Sequence, residues 1–167
     1  MRLGQGVEWA AHACALLAAA GEGRGLSLAA LAEYHGVPAP YMAKQMQALS
    51  KAGLVRTSRG KTGGYALARP ADQITLWDVT RALNGSAPLF QCTEIRQQGP
   101  CGAPRAECKR PCHIAAAFAQ AETAWREALQ GVTIADIAAG VGRDSSPQHI
   151  TEAMHWLGSN LTDLPNR

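Results

Sequence analysis

From Val7 to Ala20 apolar residues recur at helical spacing almost without interruption, and the glycines between Gly21 and Gly25 end the run, so a first helix is predicted there. Ser27 can then cap a second, short helix whose apolar stripe is Leu28, Leu31 and Ala32, stopped by Gly36. Beyond the turn Val37-Pro38-Ala39-Pro40, a third helix places Met42, Met46 and Leu49 within a narrow arc. Lys44, Gln47 and Lys51 fall on its opposite face. Leu54 to Thr57 and Gly64 to Leu67 read as two short strands around a cationic turn, Ser58-Arg59-Gly60-Lys61-Thr62-Gly63. At that turn Gly60, Gly63 and Gly64 are expected to permit positive φ. Downstream, Ile114, Phe118, Ala121, Trp125 and Leu129 keep helical spacing over residues 113–130, and Thr133 is a candidate N-cap for a short helix after them. Ile150 to Leu157 is weakly helical, and the last residues are expected to be loose.

This order of elements predicts a mainly α fold with a small β-hairpin wing. A chain of 167 residues fits one domain with an extension, and alanine-rich helices imply close packing. The net charge of +3 hides an asymmetry: residues 1–70 hold eight Lys or Arg against Glu8, Glu22 and Glu33 and so carry about +5, while the remainder carries about −2. A basic half beside a mildly acidic half suits a protein that meets a polyanion with one end. The exposed face of the third helix can enter a major groove, and Arg59 and Lys61 project from the hairpin where phosphates or a narrow minor groove would lie.

No segment approaches the roughly 18 consecutive apolar residues of a membrane helix, and a signal peptide's cationic start, apolar run and cleavage site are missing, so a cytoplasmic protein without a membrane partner is expected. In a reducing compartment five cysteines read better as metal ligands or redox thiols than as structural disulfides. Four of them, Cys92, Cys101, Cys108 and Cys112, share one segment whose Gly and Pro residues let thiolates converge. Thiolates suit iron–sulfur clusters and zinc. Arg105, Lys109 and Arg110 favour the thiolate form by charge, and Cys112 opens the long helix, where amides and dipole favour it further. Cys108 and Cys112 are the closest pair, and Cys14, on an alanine-rich helix, reads as a small buried residue. Glu8 and His12 are four apart, on one helical face, so they form either an exposed helical pair or a carboxylate and an imidazole able to complete two thiolates.

The succession of the first helix, Leu28-Ala29-Ala30-Leu31-Ala32, Tyr41-Met42-Ala43-Lys44-Gln45, Lys51-Ala52-Gly53-Leu54-Val55, Arg59-Gly60-Lys61-Thr62-Gly63-Gly64-Tyr65 and Ile74-Thr75-Leu76-Trp77-Asp78-Val79 resembles the Rrf2 family of bacterial winged-helix regulators over roughly residues 1–140. The resemblance implies a homodimer on a palindromic double-stranded DNA operator, often with an iron–sulfur cluster as sensor. It also implies a layout: a winged helix-turn-helix over 1–85, a cysteine-rich cluster loop over 86–112, a dimerization helix and cap over 113–140, and a C-terminal extension over 141–167. The expected DNA contacts are Tyr41, Lys44, Gln47, Lys51, Arg59 and Lys61.

The stretch Gly6-Val7-Glu8-Trp9-Ala10-Ala11-His12 resembles a redox-sensing subgroup of that family, related to RsrR, in which a [2Fe-2S] cluster takes a Glu and a His from one subunit and two Cys from the other. By that resemblance the metal ligands are Glu8, His12, Cys108 and Cys112, with Cys92 and Cys101 held in reserve. Trp9, next to Glu8, is then a candidate signal relay, or else a core tryptophan. The alternative is a winged-helix regulator without a cluster, sensing through a thiol/disulfide switch or zinc. An enzyme is not expected, since a nucleotide-binding glycine fingerprint is missing and Gly60-Lys61-Thr62 lacks the spacing of a phosphate-binding loop.

Overall fold

A computed structural model of the chain describes residues 3–58, 60 and 63–164. Among the described residues, seven α-helices accompany a small antiparallel sheet: α1 Gln5–Ala20, β1 Arg24–Leu26, α2 Leu28–Tyr34, α3 Ala39–Lys51, β2 Val55–Ser58, β3 Gly64–Leu67, α4 Leu76–Asn84, α5 His113–Gln130, α6 Ile134–Asp144, α7 Pro147–Asn160 and β4 Leu161–Asp163. The apolar stripes find one another. Ala10, Ala13, Cys14 and Leu17 of α1 close on Leu31 of α2, Met42, Met46 and Leu49 of α3, Val79 of α4 and Ile134 of α6. Alanines on α1 let its neighbours approach closely, and Cys14 sits fully buried among them, its thiol pushed up to about 12 by burial. Ser27 caps α2 as its sequence suggests, its hydroxyl accepting from the Ala30 amide at 3.1 Å.

The wing is larger than a hairpin. Its strands β2 and β3 pair from Val55↔Leu67 to Ser58↔Gly64, and the sheet continues through β1 to β4 in the order β2-β3-β1-β4. Gly60 adopts φ +116°, in line with expectation. Gly64 does not take a positive φ, and its glycine answers a different need: a Cβ there would stand 2.6 Å from the Leu26 carbonyl oxygen. A Cβ at Gly25 on β1 would likewise collide with the Tyr65 carbonyl, so β1 and β3 approach too closely for a side chain at either position.

The C-terminus is the main departure from the sequence-based expectation. Residues expected to be loose form an edge strand, with Leu161↔Leu26, Thr162↔Gly25 and Arg24↔Asp163, and Leu164 is buried. The helix before it is longer than the Ile150–Leu157 core of the expectation, because Ser146 caps it through the His149 amide at 3.2 Å and Trp156 packs on Tyr34 with ring centroids 4.9 Å apart. A short stretch seen without its pairing partner carries too little signal to be read as a strand.

Two capping boxes join the helices on either side of the cysteine loop. Thr75 and Asp78 cap α4, and Thr133 and Asp136 cap α6, each hydroxyl accepting from the third amide while the carboxylate accepts from the cap amide. The two caps lie side by side. The Leu76 amide donates to the Val132 carbonyl and the Ile134 amide to the Ile74 carbonyl, both at 2.8 Å.

Candidate functional site

Helix α3 turns its apolar stripe inward and leaves Tyr41, Lys44, Gln47 and Lys51 exposed, the four positions the sequence assigns to DNA. Gln45 is the polar residue on the buried side. Its amide donates to the Tyr41 carbonyl at 3.2 Å, and the α1 N-terminus lies directly over it at Gly6. Gln47, Ser50 and Lys51 line a concavity of about 610 Å³ whose other wall is Thr57, Ser58 and Gly60 of the wing, so helix and wing form one surface. A second hollow beside it gathers Lys44, Lys51, Arg69 and Arg81, the two arginines sharing Asp78 at 3.0 and 3.9 Å. Arg59 and Lys61 lie outside the described residues.

Trp9 packs against the start of α3, edge to face with Tyr41 at 6.1 Å. On either side of it Glu8 and His12 are exposed on α1, in keeping with their i, i+4 spacing. His12 also approaches His35 at the end of α2, ring centroids 6.0 Å apart; burial first, then the His12 charge, lowers His35 to about 4. Sequence spacing could not have paired these two histidines, which lie on different helices.

The cysteine loop is organised by a residue that sequence reasoning does not single out. Arg96 donates to the Glu94 carboxylate at 2.9 Å and to the carbonyls of Cys108, at 3.3 Å, and Arg110, drawing the two ends of the loop together. Glu94, at φ +53°, also accepts from the Gln97 side chain at 3.0 Å. Cys112 is the N-cap of α5, its sulfur accepting from the Ala115 amide at 3.3 Å. That amide holds the thiol below its usual range, against partial desolvation, with help from the Cys92 thiol and the Arg96 charge. The cation acting on Cys112 is therefore Arg96, where sequence proximity pointed to Arg105, Lys109 and Arg110. One arginine among four basic loop residues carries no sequence mark of its own.

Within one protomer the described residues gather no group of three or more His, Cys, Asp or Glu in metal-binding geometry. The loop brings Cys92 beside Cys112 and leaves Cys101 exposed, while Glu8 and His12 sit on α1. No described residue of α5 is buried: Ile114 and Phe118 are more than half exposed, although Phe118 stacks on Phe90 at 4.5 Å and Trp125 meets Trp77 edge to face at 5.5 Å.

The chain matches, over residues 3–140, the family model described as Rrf2, iron-dependent transcriptional regulator. The chain belongs to the Rrf2 family. Among Rrf2-like relatives it is 31% identical over 138 residues to YffB of Lactococcus lactis, named as an HTH-type transcriptional regulator, covering 83% of this chain and 87% of that one. It is 38% identical over 107 residues to protein aau3 of Rhizobium meliloti, spanning 64% of this chain and 66% of that protein. Solved structures share the fold: IscR of T. potens superposes with TM-score 0.63 at 24% identity over 90% of this chain and 96% of that one. CymR, the global cysteine regulator of B. subtilis, gives 0.61 at 25% identity over 83% and 97%. The protein is thus a DNA-binding transcriptional regulator of the Rrf2 family, whose members are regulators and not enzymes. None of its described helices is long and apolar enough to cross a membrane.

Proposed function

We propose that this Rrf2 regulator works as a homodimer on a palindromic operator and senses redox state through an iron–sulfur cluster, most simply [2Fe-2S], held by Glu8 and His12 of one subunit and Cys108 and Cys112 of the other. The observation that carries the reading is Cys112: a thiol at a helix N-cap, kept toward the thiolate by an amide and by Arg96, is what a metal would meet. Glu8 and His12 fit the remainder of such a set. They are exposed, on one face of α1, and Trp9 between them touches Tyr41 of the recognition helix. Because the described residues of one protomer do not collect three ligands, a four-ligand set of this kind calls for the second subunit. The open stripe of α5 offers the surface on which two copies would pair. When bound, the cluster supplies a one-electron couple.

The chain's own residues do the rest. Arg96 holds the loop ends, α5 fixes Cys112, and Trp9 passes a change at Glu8 or His12 to Tyr41 by packing. A shift in operator affinity of about 5- to 150-fold corresponds to a coupling of about 1–3 kcal/mol, within reach of one rearranged aromatic contact and a change in half-site spacing. Cys92 favours a second reading. Its thiol lies against Cys112, so a cluster-free chain could switch through that pair, each thiol losing one electron and one proton to a peroxide-class oxidant as the S–S bond forms.

The deciding experiment is visible absorption and EPR of anaerobically purified protein before and after dithionite, for the native chain and Cys108→Ala. A bleachable iron chromophore lost in the variant supports the cluster. A colourless, iron-free native protein whose DNA binding follows thiol oxidation replaces it with the second reading.

A further inference from the structure

Arg56 sits on β2 of the wing, a place where a cation would ordinarily be assigned to DNA phosphate, yet its guanidinium donates to the carbonyl of Leu164, 108 residues away and just past β4. Leu164 is held by three contacts. Its amide donates to the Gly23 carbonyl at 2.7 Å, its side chain is buried against Gly25, and its carbonyl accepts from Arg56. The strand before it extends the sheet from the far edge, and Thr162 adds a hydroxyl bond to the Gly25 carbonyl at 3.2 Å. The tail thus runs along β1, and just past β4 the Arg56 side chain reaches it from β2, linking the two edges of a four-stranded sheet. Residues 141–167 fall outside the region that matches the Rrf2 model, so the link is made by a segment the family pattern does not include.

We propose that Arg56 is a positioning residue for operator binding: together with Leu164 it fixes the base of the wing, so that the tip beyond Ser58 meets DNA at a set angle to α3, and it does not itself neutralise phosphate. The inference rests on the DNA-binding role of helix and wing. Arg56 is half-buried while Thr57 and Ser58, toward the tip, are exposed, as expected if the contact surface begins past it. A wing whose base is free samples more orientations, and ordering it must then be met at binding.

A phosphate contact and a positioning contact differ in salt dependence. Each phosphate neutralised contributes about 0.9 to the slope of log affinity against log salt, whereas an arginine bonded inside the protein contributes nothing to it. The test measures affinity from low to moderate salt for the full chain on the duplex that the native protein itself enriches from a random pool. The variants are Arg56→Gln, Arg56→Lys, Leu164→Asp and Arg56→Gln combined with Leu164→Asp, with Lys51→Ala as the phosphate-contact control. Arg56→Gln and Leu164→Asp are each expected to weaken binding about tenfold, the scale of one lost hydrogen bond to a charged group, with the slope unchanged. The double variant should be no weaker than either single one, and Arg56→Lys, which keeps a donor, should recover part of the loss.

A slope falling by about 0.9 per site in Arg56→Gln, additive losses in the double variant, or native affinity in Arg56→Gln would each overturn the proposal. Should Leu164→Asp fail to fold, the slope of Arg56→Gln and the recovery in Arg56→Lys still decide. A native chain that enriches no duplex at all would instead remove the DNA-binding premise, a distinct result.

Discussion

Cys112 has two roles that one substitution can separate, since its sulfur caps α5 and is also a proposed metal ligand. A serine at the same position keeps a side-chain acceptor for the Ala115 amide and is a favoured N-cap, so α5 should start where it does now. Alanine removes the acceptor. Loss of an N-cap costs about 0.5–2 kcal/mol, and in a chain of this size about 1 kcal/mol lowers the melting temperature by roughly 2–4 °C. Sulfur at 3.3 Å is a weak acceptor, so the lower end of that range applies. Metal-free Cys112→Ser should therefore melt at or above the native temperature and Cys112→Ala about 1–3 °C below it. Both should lose bound iron, because neither side chain supplies a thiolate. The assay is thermal unfolding of chelator-treated protein beside iron analysis of anaerobically purified protein. Native iron content in Cys112→Ser would refute the ligand role, and equal melting of the two metal-free variants would refute the cap.

Other consequences are as direct. Replacing exposed Phe118 on α5 by Asp should convert a dimer to a monomer in analytical ultracentrifugation, and an unchanged sedimentation coefficient would move the interface elsewhere. Lys44→Ala and Lys51→Ala should each lower the salt slope of DNA binding by about 0.9 per site, whereas Tyr41→Ala should alter coupling to the proposed sensor's redox state more than the slope. The Asp136 carboxyl is held below its ordinary 3.8 chiefly by the Thr133 hydroxyl and then by the Thr133 amide. Stability from that bond is present above the unfolded value and is lost as pH falls through the lower folded one. Asp136→Asn should accordingly flatten the acid limb of a stability-against-pH curve, and an unchanged limb would count against the bond.

Much of the fold was legible because it rests on local chemistry. The stripe of Met42, Met46 and Leu49, the caps at Ser27 and Thr133 and the wing strands follow from periodicity and from which side chains can satisfy a free amide, and they lie where those rules put them, the first wing strand one residue later than expected. Opening of α5 at Cys112 was readable for the same reason. What escaped depends on distance in the chain. Strand β4 exists only because β1 offers it an edge, and three residues from Leu161 to Asp163 hold no pattern that announces a partner near Arg24. Arg96 escaped because its role is to bond carbonyls at positions 108 and 110, and carbonyls are the same in every residue. The glycine at 64 was placed in the right element for the wrong reason, since a close strand approach and a positive φ leave the same letter in the sequence.

The paired caps at Thr75 and Thr133 have a mechanical consequence. Helix α5 is 18 residues, about 27 Å long, and it runs from the thiol at Cys112 to a short turn whose next residues make two backbone hydrogen bonds to the start of α4. It is therefore a lever pinned at its C-terminal end to the unit that carries α3, with its far end in the cysteine loop. A tilt of about 5° at the pin sweeps Cys112 through roughly 2 Å at this helix length. Conversely, an ångström-scale adjustment of the loop turns the pinned unit by a few degrees, and in a two-fold pair both recognition helices would turn together.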